Sequence, residues 1–91
     1  MTQKEKVFDY LLEHDYITAF DAVVNLRVTR LAARIAELIA DGVPVVKTWE
    51  ESTNEETGET TRYLRYSLEP IYAKSMKEMI KWMREEGKMS G

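Results

Sequence analysis

The spacing of apolar residues between positions 17 and 43 predicts two short helices joined by a tight turn. The first helix is predicted over residues 18–25, because Thr18 can cap it and the carboxylate of Asp21 can reach back to the free amides. The second helix is predicted over residues 29–41, with Thr29 at its start. Gly42 follows at a position where a residue in the left-handed conformation commonly ends a helix.

The second of these helices has one apolar face and one polar face. The apolar residues fall at positions i, i+3, i+7, i+10 and i+11, and they are Val28, Leu31, Ile35, Leu38 and Ile39. The opposite face carries Arg30, Ala33, Arg34, Glu37 and Asp41. Its first half is basic and small, and its second half is acidic. A helix that presents Thr, Arg and Ala near its amino end, supported by a shorter helix, has the features needed to enter a DNA major groove.

The remaining chain predicts one earlier helix, a β-hairpin and one later helix. Residues 1–13 form the first helix, with Thr2 and Glu5 as a capping box, and residues 16–17 form a very short strand against the hairpin. Apolar and polar residues alternate over 43–50 and 62–68, which predicts two strands joined by the polar segment 52–61. The last helix begins at Pro70, a residue favoured early in helices, and runs to about residue 86. The side chains expected to face the core from the first two helices are Val7, Phe8, Leu11, Leu12, Phe20, Val23 and Val24.

The segments ITAFDAV and VTRLAARIAELIADG, followed by a hairpin with Gly58 near its tip and the strand RYLRYSL, resemble a known family. They are similar to a small winged helix-turn-helix domain that is common in phages and prophages. The resemblance covers roughly residues 4–68, and VTRLAARI is its most specific part. It implies an α+β fold with a three-helix core, a two-stranded β wing and, in this chain, an extra C-terminal helix. It also implies DNA binding, although the same fold serves elsewhere as a protein-interaction module.

The candidate DNA-binding residues lie in the turn, in the second helix of the pair and in the hairpin. They are Arg27, Thr29, Arg30, Ala33, Arg34, Lys47, Arg62 and Arg65. Arginine can donate two hydrogen bonds to guanine, and the methyl groups of Ala and Thr can contact the methyl group of thymine. The alternative is that these charges are solvated or pair with Glu37 and Asp41. Arg27 stands where such motifs often carry glycine, so either this turn avoids positive φ or Arg27 accepts a modest strain.

Composition limits the other functions. The 91 residues suffice for one domain, and 44% hydrophobic with 32% charged residues is typical of a folded soluble protein. There is no cysteine, His14 is the one histidine, and no phosphate-binding glycine loop occurs, so we expect no enzyme, no metal site and no cofactor. No signal peptide and no membrane-spanning run is found, which predicts a cytoplasmic protein without a membrane partner.

The net charge of −3 is unusual for a DNA-binding domain, and the acidic residues concentrate in the hairpin. Five of them flank its tip: Glu50, Glu51, Glu55, Glu56 and Glu59. These carboxylates would be repelled by a phosphate backbone, so we expect the tip to stay out of DNA. A contact between the acidic tip and a basic protein surface is the alternative.

The last helix has an apolar seam at 4-3-4 spacing, which resembles the seam of a coiled coil. The seam and its neighbour comprise Tyr72, Met76, Met79, Ile80 and Met83. It can pack on the protein's own domain, or it can form a homodimer, since the winged domain is nearly complete by Leu68. We divide the chain into a winged helix-turn-helix domain at 1–69 and a C-terminal amphipathic helix at 70–91.

The sequence thus predicts sequence-specific binding of double-stranded DNA, most simply by a homodimer. The role suggested by the resemblance is a phage or prophage transcriptional regulator, or a recombination accessory factor. The second hypothesis is a phage-derived protein-binding module that uses the same fold to inhibit or redirect a host protein.

Overall fold

The protein is described by a computed structural model, which covers residues 1–89 and their side chains through residue 85. The last two residues of the predicted C-terminal segment 70–91 lie outside the described residues. The order of elements is α1 (Gln3–Glu13), β1 (Ile17–Thr18), α2 (Ala19–Asp21), a π-helical segment (Ala22–Leu26), α3 (Leu31–Ala40), β2 (Val45–Thr53), β3 (Thr60–Leu68) and α4 (Pro70–Met89). The fold is therefore α+β, as predicted.

α1 begins with the predicted capping box. The hydroxyl of Thr2 accepts a hydrogen bond from the Glu5 amide at 3.1 Å, and the Glu5 carboxylate accepts one from the Thr2 amide at 3.3 Å. The Thr2 hydroxyl also donates a hydrogen bond to the Glu5 carboxylate at 3.0 Å. The bonds that the carboxylate accepts from the Thr2 hydroxyl and from the Thr2 amide lower the pKa of Glu5, because they favour its charged form. Val7 and Leu11 are buried, so α1 presents the predicted stripe to the core.

The second helix starts as predicted, but its inward face is different. Thr18 and Asp21 form a capping box, with hydrogen bonds of 3.2 Å and 3.1 Å between side chains and amides. The prediction that Phe20, Val23 and Val24 face inward is wrong, since they are 74%, 48% and 58% exposed. Ala22 is the buried residue of this helix. Phe20 and Val24 each lie two residues from Ala22, which is roughly half a turn around the helix, so both point away from the core.

The helix-turn-helix turn is made by the π-helical segment and a left-handed residue. The Ala22 carbonyl accepts a hydrogen bond from the Val28 amide at 2.9 Å, which closes a turn wider than an α-helical one. Arg27 adopts φ 58° and ψ 36°, the left-handed conformation that glycine usually supplies. Of the two alternatives for this position, the structure thus shows positive φ at Arg27.

α3 starts two residues later than predicted and ends one residue earlier, at Ala40. Arg30, rather than Thr29, is the residue that precedes its first turn, and no side chain caps it. At the other end, Gly42 has φ 94°, and the amide of Val43 donates to the Leu38 carbonyl at 3.0 Å. This is a Schellman motif, and its positive φ at Gly42 is the part that the sequence predicts.

Four of the five predicted apolar positions of this helix are buried, namely Val28, Leu31, Ile35 and Leu38. The prediction for Ile39 is wrong, because its side chain is 43% exposed. Successive positions differ by about 100°, so Ile39 lies well to one side of the line through Leu31, Ile35 and Leu38.

The three strands form one antiparallel sheet in the order β1-β3-β2. β2 and β3 pair along their full length, from Val45 opposite Leu68 to Thr53 opposite Thr60. The predicted two-stranded wing is therefore a hairpin within a three-stranded sheet. The strands are longer than predicted, and the connecting turn shrinks to residues 54–59. Asn54 shapes this turn, since its side-chain oxygen accepts hydrogen bonds from the amides of Glu56 and Thr57.

One core joins the helices to the sheet. Its buried side chains are Val7, Leu11, Ile17, Ala22, Val28, Leu31, Ile35, Leu38, Tyr66 and Leu68. α4 follows the sheet directly, and the carboxylate of Glu69 accepts hydrogen bonds from the amides of Ile71 and Tyr72 at 3.1 Å and 2.8 Å. Tyr72 and Ala73 pack against the core, so the first turns of α4 dock on the domain.

Candidate nucleic-acid interface

The amino end of α3 carries a group of exposed residues on the helix-turn-helix turn. Arg27, Thr29 and Arg30 are all exposed, and neither arginine pairs with a carboxylate among the described residues. No side chain caps the first amides of α3, so the positive end of its dipole remains open. A phosphate group is well suited to such a surface.

Beyond this end, the exposed face of α3 is made mostly of alanine. Ala32, Ala36 and Ala40 are exposed, whereas the predicted contact residue Ala33 is half-buried. Ala32 and Ala36 were not among the predicted contact residues, because the charged residues were used to place the exposed face. The apolar spacing of Leu31, Ile35 and Leu38 could have identified both alanines, because Ala32 directly follows Leu31 and Ala36 directly follows Ile35.

Arg34 is held within the protein. One terminal nitrogen donates to the side-chain oxygen of Gln3 on α1 at 3.2 Å, and the other lies 2.8 Å from the Glu37 carboxylate. The side chain is 26% exposed, and its Nε atom is buried without a hydrogen-bond partner among the described residues. Pairing with Glu37 was the alternative role considered for this residue. In this arrangement Arg34 joins the exposed helix to α1.

Lys47 and Arg62 lie on the same face of the hairpin as the buried residues Tyr66 and Leu68. Lys47 is directly opposite Tyr66, and side chains alternate between faces along a strand, so this is the face toward the helices. Arg62 lies 5.1 Å from the centre of the Trp49 ring, and its Nε is 3.9 Å from the Glu51 carboxylate. Both basic side chains are exposed.

Arg65 points to the other face of the sheet, because it is one residue away from Tyr66. Its guanidinium stands over the Tyr16 ring at 4.6 Å and forms an ion pair with Glu50 at 2.9 Å. The structure thus groups Arg27, Thr29 and Arg30 in one turn and places Lys47 and Arg62 on the helix-facing side of the hairpin. It does not bring Arg65 to that side.

A cleft of about 690 Å³ separates the amino end of α3 from the hairpin. Thr29, Arg30 and Ala32 form one wall, and Thr61 and Tyr63 belong to the other. Phe20 and Tyr16 also line it, which gives the cleft an aromatic component that the sequence analysis did not anticipate. The cleft is open to solvent.

The hairpin tip is acidic and exposed. Glu55, Glu56 and Glu59 are all exposed, and no described residue forms an ion pair with them. Nearer the base, Glu50 forms an ion pair with Arg65 at 2.9 Å, and Glu51 makes a longer, exposed contact with Arg62 at 3.9 Å. The negative charge is therefore concentrated at the end of the hairpin.

His14 stacks on Tyr10 with 4.1 Å between ring centres. The described part of the chain holds no group of three or more His, Cys, Asp or Glu residues placed to bind a metal ion. Among its described helices, none combines the length and the apolar character required to cross a membrane.

The geometry agrees with a comparison to protein families. A family model described as a winged helix-turn-helix domain matches residues 2–70, which are 69 of the 91 residues. No curated protein matched the chain. Winged helix-turn-helix domains are typically DNA-binding modules without enzymatic activity. The helix pair, the left-handed turn and the hairpin are the parts of that fold, and the chain belongs to the winged helix-turn-helix domain family.

Proposed function

We propose that this protein binds double-stranded DNA sequence-specifically, with α3 in the major groove. The observation that carries the proposal is the exposed turn at the open amino end of α3, with Arg27 and Arg30 free of carboxylate partners among the described residues. In helix-turn-helix proteins the residues near this end of the second helix contact base edges.

The residues divide into three roles. Arg30 and Thr29 contact bases, and the exposed alanines at positions 32 and 36 allow the helix to approach thymine methyl groups closely. Arg27, Lys47 and Arg62 contact phosphates, which orient the protein without recognising sequence. Arg34 positions α3 through Gln3 and Glu37. Ala33 and Arg65 are peripheral to this interface.

The biological role that the sequence supports best is a phage or prophage regulator of transcription, or a recombination accessory factor, that acts in the cytoplasm. The resemblance of ITAFDAV and VTRLAARI to phage domains supports this role. The proposal includes a homodimer, because two copies of α3 about 34 Å apart would match successive major grooves of a palindromic target.

Selection of binding sequences from a random duplex library, followed by fluorescence anisotropy, tests the proposal. We expect one enriched motif, and an affinity that falls linearly on a log–log plot against salt concentration. Lys6→Ala is the control for variants of the interface, because it removes a positive charge at an exposed position of α1 that lies outside the interface. Equal affinity for the selected and scrambled duplexes at moderate salt would exclude sequence-specific recognition.

A protein-binding module that redirects a host protein is the second candidate. Its support is the apolar surface of the second helix, where Phe20 is 74% and Val24 58% exposed, together with the acidic hairpin tip. Large exposed apolar side chains are common at protein interfaces. Absence of DNA binding even at low salt would favour this candidate.

A further inference from the structure

α4 carries an apolar surface that its own domain does not cover. Tyr72, Ala73, Met76 and Ile80 are half-buried and form the face toward the domain. A second set of apolar side chains lies beside that face. It consists of Ile71, Met79, Trp82 and Met83, which are 75%, 54%, 62% and 59% exposed. At about 100° per residue these four span an arc of about 120°, and we call them the outer stripe.

A row of charged residues borders the outer stripe on the side that leads round to α1. The row is Lys74, Glu78, Lys81 and Glu85, at 4-3-4 spacing. All four side chains are exposed, and none forms an ion pair with another described residue. Along the helix the charges therefore alternate as positive, negative, positive, negative.

This order of charges is complementary to a second copy of itself when the two helices are antiparallel, but not when they are parallel and in register. When two copies of the row run antiparallel, with a two-fold axis between residues 79 and 80, Lys74 of one copy lies opposite Glu85 of the other. Glu78 likewise lies opposite Lys81. Every charge then meets its opposite, which gives four pairs across a two-fold axis. When the row is instead laid parallel to itself in register, lysine faces lysine and glutamate faces glutamate.

We propose that the outer stripe binds the outer stripe of a second copy of this chain, with the two α4 helices antiparallel and the two-fold axis between Met79 and Ile80. This inference rests on the homodimer of the proposed function and specifies its interface. Trp82 then lies at a level between the partner's Ser75 and the partner's Met79, so the largest side chain of the stripe packs beside the small side chain of the partner's Ser75. Tyr72, Met76 and Ile80 remain in their own domain.

The expected dimer is weak. Four partly exposed side chains per copy bury on the order of 1,000 Å² in total, at the lower limit of stable protein interfaces. The ion pairs are exposed, so they add little affinity but select the orientation and the partner. We therefore expect a monomer–dimer equilibrium at tens to hundreds of micromolar, which light scattering and analytical ultracentrifugation can resolve.

Charge reversal tests the row. Lys74→Glu with Lys81→Glu makes it wholly acidic, and Glu78→Lys with Glu85→Lys makes it wholly basic. Each double variant alone should raise the dimer dissociation constant about tenfold or more, and an equimolar mixture should restore the dimer. Lys6→Glu with Lys47→Glu is the control for the acidic variant, because it changes the net charge equally at exposed sites outside α4. Equal weakening by the control, or a mixture that stays monomeric, would overturn the role of the row.

Single cysteines test the orientation, because the chain has none of its own. Near the two-fold axis, Met79→Cys should form disulfide-linked dimers under mild oxidation. In Ser75→Cys the two cysteines would be about 13 Å apart along the helices, beyond the reach of a disulfide. Equal cross-linking by both variants would indicate a parallel pair and overturn the proposal.

The mass of the wild-type protein separates this inference from the proposed function. A wild-type monomer at hundreds of micromolar would overturn the dimer and leave specific DNA binding to be judged by its own assay. A dimer that binds no DNA would uphold the interface and overturn the proposed function.

Discussion

Arg34 on α3 donates a hydrogen bond to the side-chain oxygen of Gln3 on α1 across 3.2 Å. Its other terminal nitrogen is 2.8 Å from Glu37, so both ends of the guanidinium fork are occupied within the protein. Arg30, four residues earlier, has no such partner among the described residues. Two arginines on the same helix therefore have different expected functions.

The first prediction separates these two arginines. Arg30→Ala should weaken binding to the selected duplex by about 1–3 kcal/mol if the side chain contacts a base. Arg34→Ala should cost less DNA affinity and should lower the free energy of unfolding by up to about 1 kcal/mol, through loss of its two contacts. Anisotropy titrations and urea midpoints measure the two quantities. Larger loss of DNA affinity in Arg34→Ala than in Arg30→Ala would reverse the proposed roles.

Arg27 should show opposite effects on stability and on binding. Its left-handed backbone is strained for a residue with a Cβ atom. Arg27→Gly should therefore raise the free energy of unfolding by less than about 1 kcal/mol, which a slightly higher urea midpoint would show. The same change removes a phosphate contact, so the slope of log affinity against log salt should decrease by about 1.

Arg27→Asn is the control, since asparagine also tolerates this conformation but carries no charge. An unchanged salt slope in both variants would mean that Arg27 does not contact phosphate.

A third prediction concerns the inner face of α3. Ile35→Ala removes a fully packed side chain and should destabilise the protein by about 2–5 kcal/mol. Ile39→Ala, on the same helix, should cost less than about 1 kcal/mol because Ile39 is 43% exposed. Urea denaturation distinguishes the two. Similar losses would show that Ile39 packs against more of the protein than its exposure indicates.

These positions show how far the sequence could predict the fold. The caps formed by Thr2 with Glu5 and by Thr18 with Asp21 depend on neighbours three residues apart, so short-range pattern was enough. The wide turn after Ala22 and the orientation of Phe20 depend on how the second helix packs, and local pattern does not contain that information. For this reason the residues predicted inward on that helix were found exposed.

The candidate site also has features that the local sequence predicts and features that depend on distant residues. The exposed turn at Arg27, Thr29 and Arg30 follows from the motif itself, and the prediction placed these residues together. The fate of Arg34 depends on Gln3, which is 31 positions earlier in the chain. The face occupied by Arg65 depends on the register of the hairpin, which is set by the turn at residues 54–59. Residue type alone therefore identified the basic residues but not their directions.

The acidic hairpin tip supplies the fourth prediction. Changing Glu55, Glu56 and Glu59 to Gln together should leave the preferred sequence unchanged. It should raise non-specific DNA affinity by removing repulsion, most strongly at low salt, where the Debye length is long. The selected motif and the affinity for random duplex are the measurements. A large loss of DNA binding would contradict the expectation, and binding of a basic protein that depends on these residues would favour the second candidate function.

The last prediction concerns how α3 recognises bases. Ala32 and Ala36 are exposed and have no hydrogen-bonding group in their side chains, so recognition at these positions requires an apolar partner. The thymine methyl group is the apolar group that bases present in the major groove. Uracil lacks this methyl group but keeps every hydrogen-bonding group of thymine. Replacing single thymines of the selected duplex by uracil should therefore lower the affinity by about 0.8 kcal/mol at each contacted position.

Uracil at positions outside the motif is the control and should have no effect. The losses should occur on the bases next to those that Arg30 contacts, since Ala32 and Ala36 follow it along the helix. If uracil has no effect at any position while Arg30→Ala still weakens binding, α3 lies in the groove without contacting thymine methyl groups. If neither change matters, the exposed face of α3 is not the DNA-binding surface, and the apolar side chains of the second helix become the first surface to examine for a protein partner.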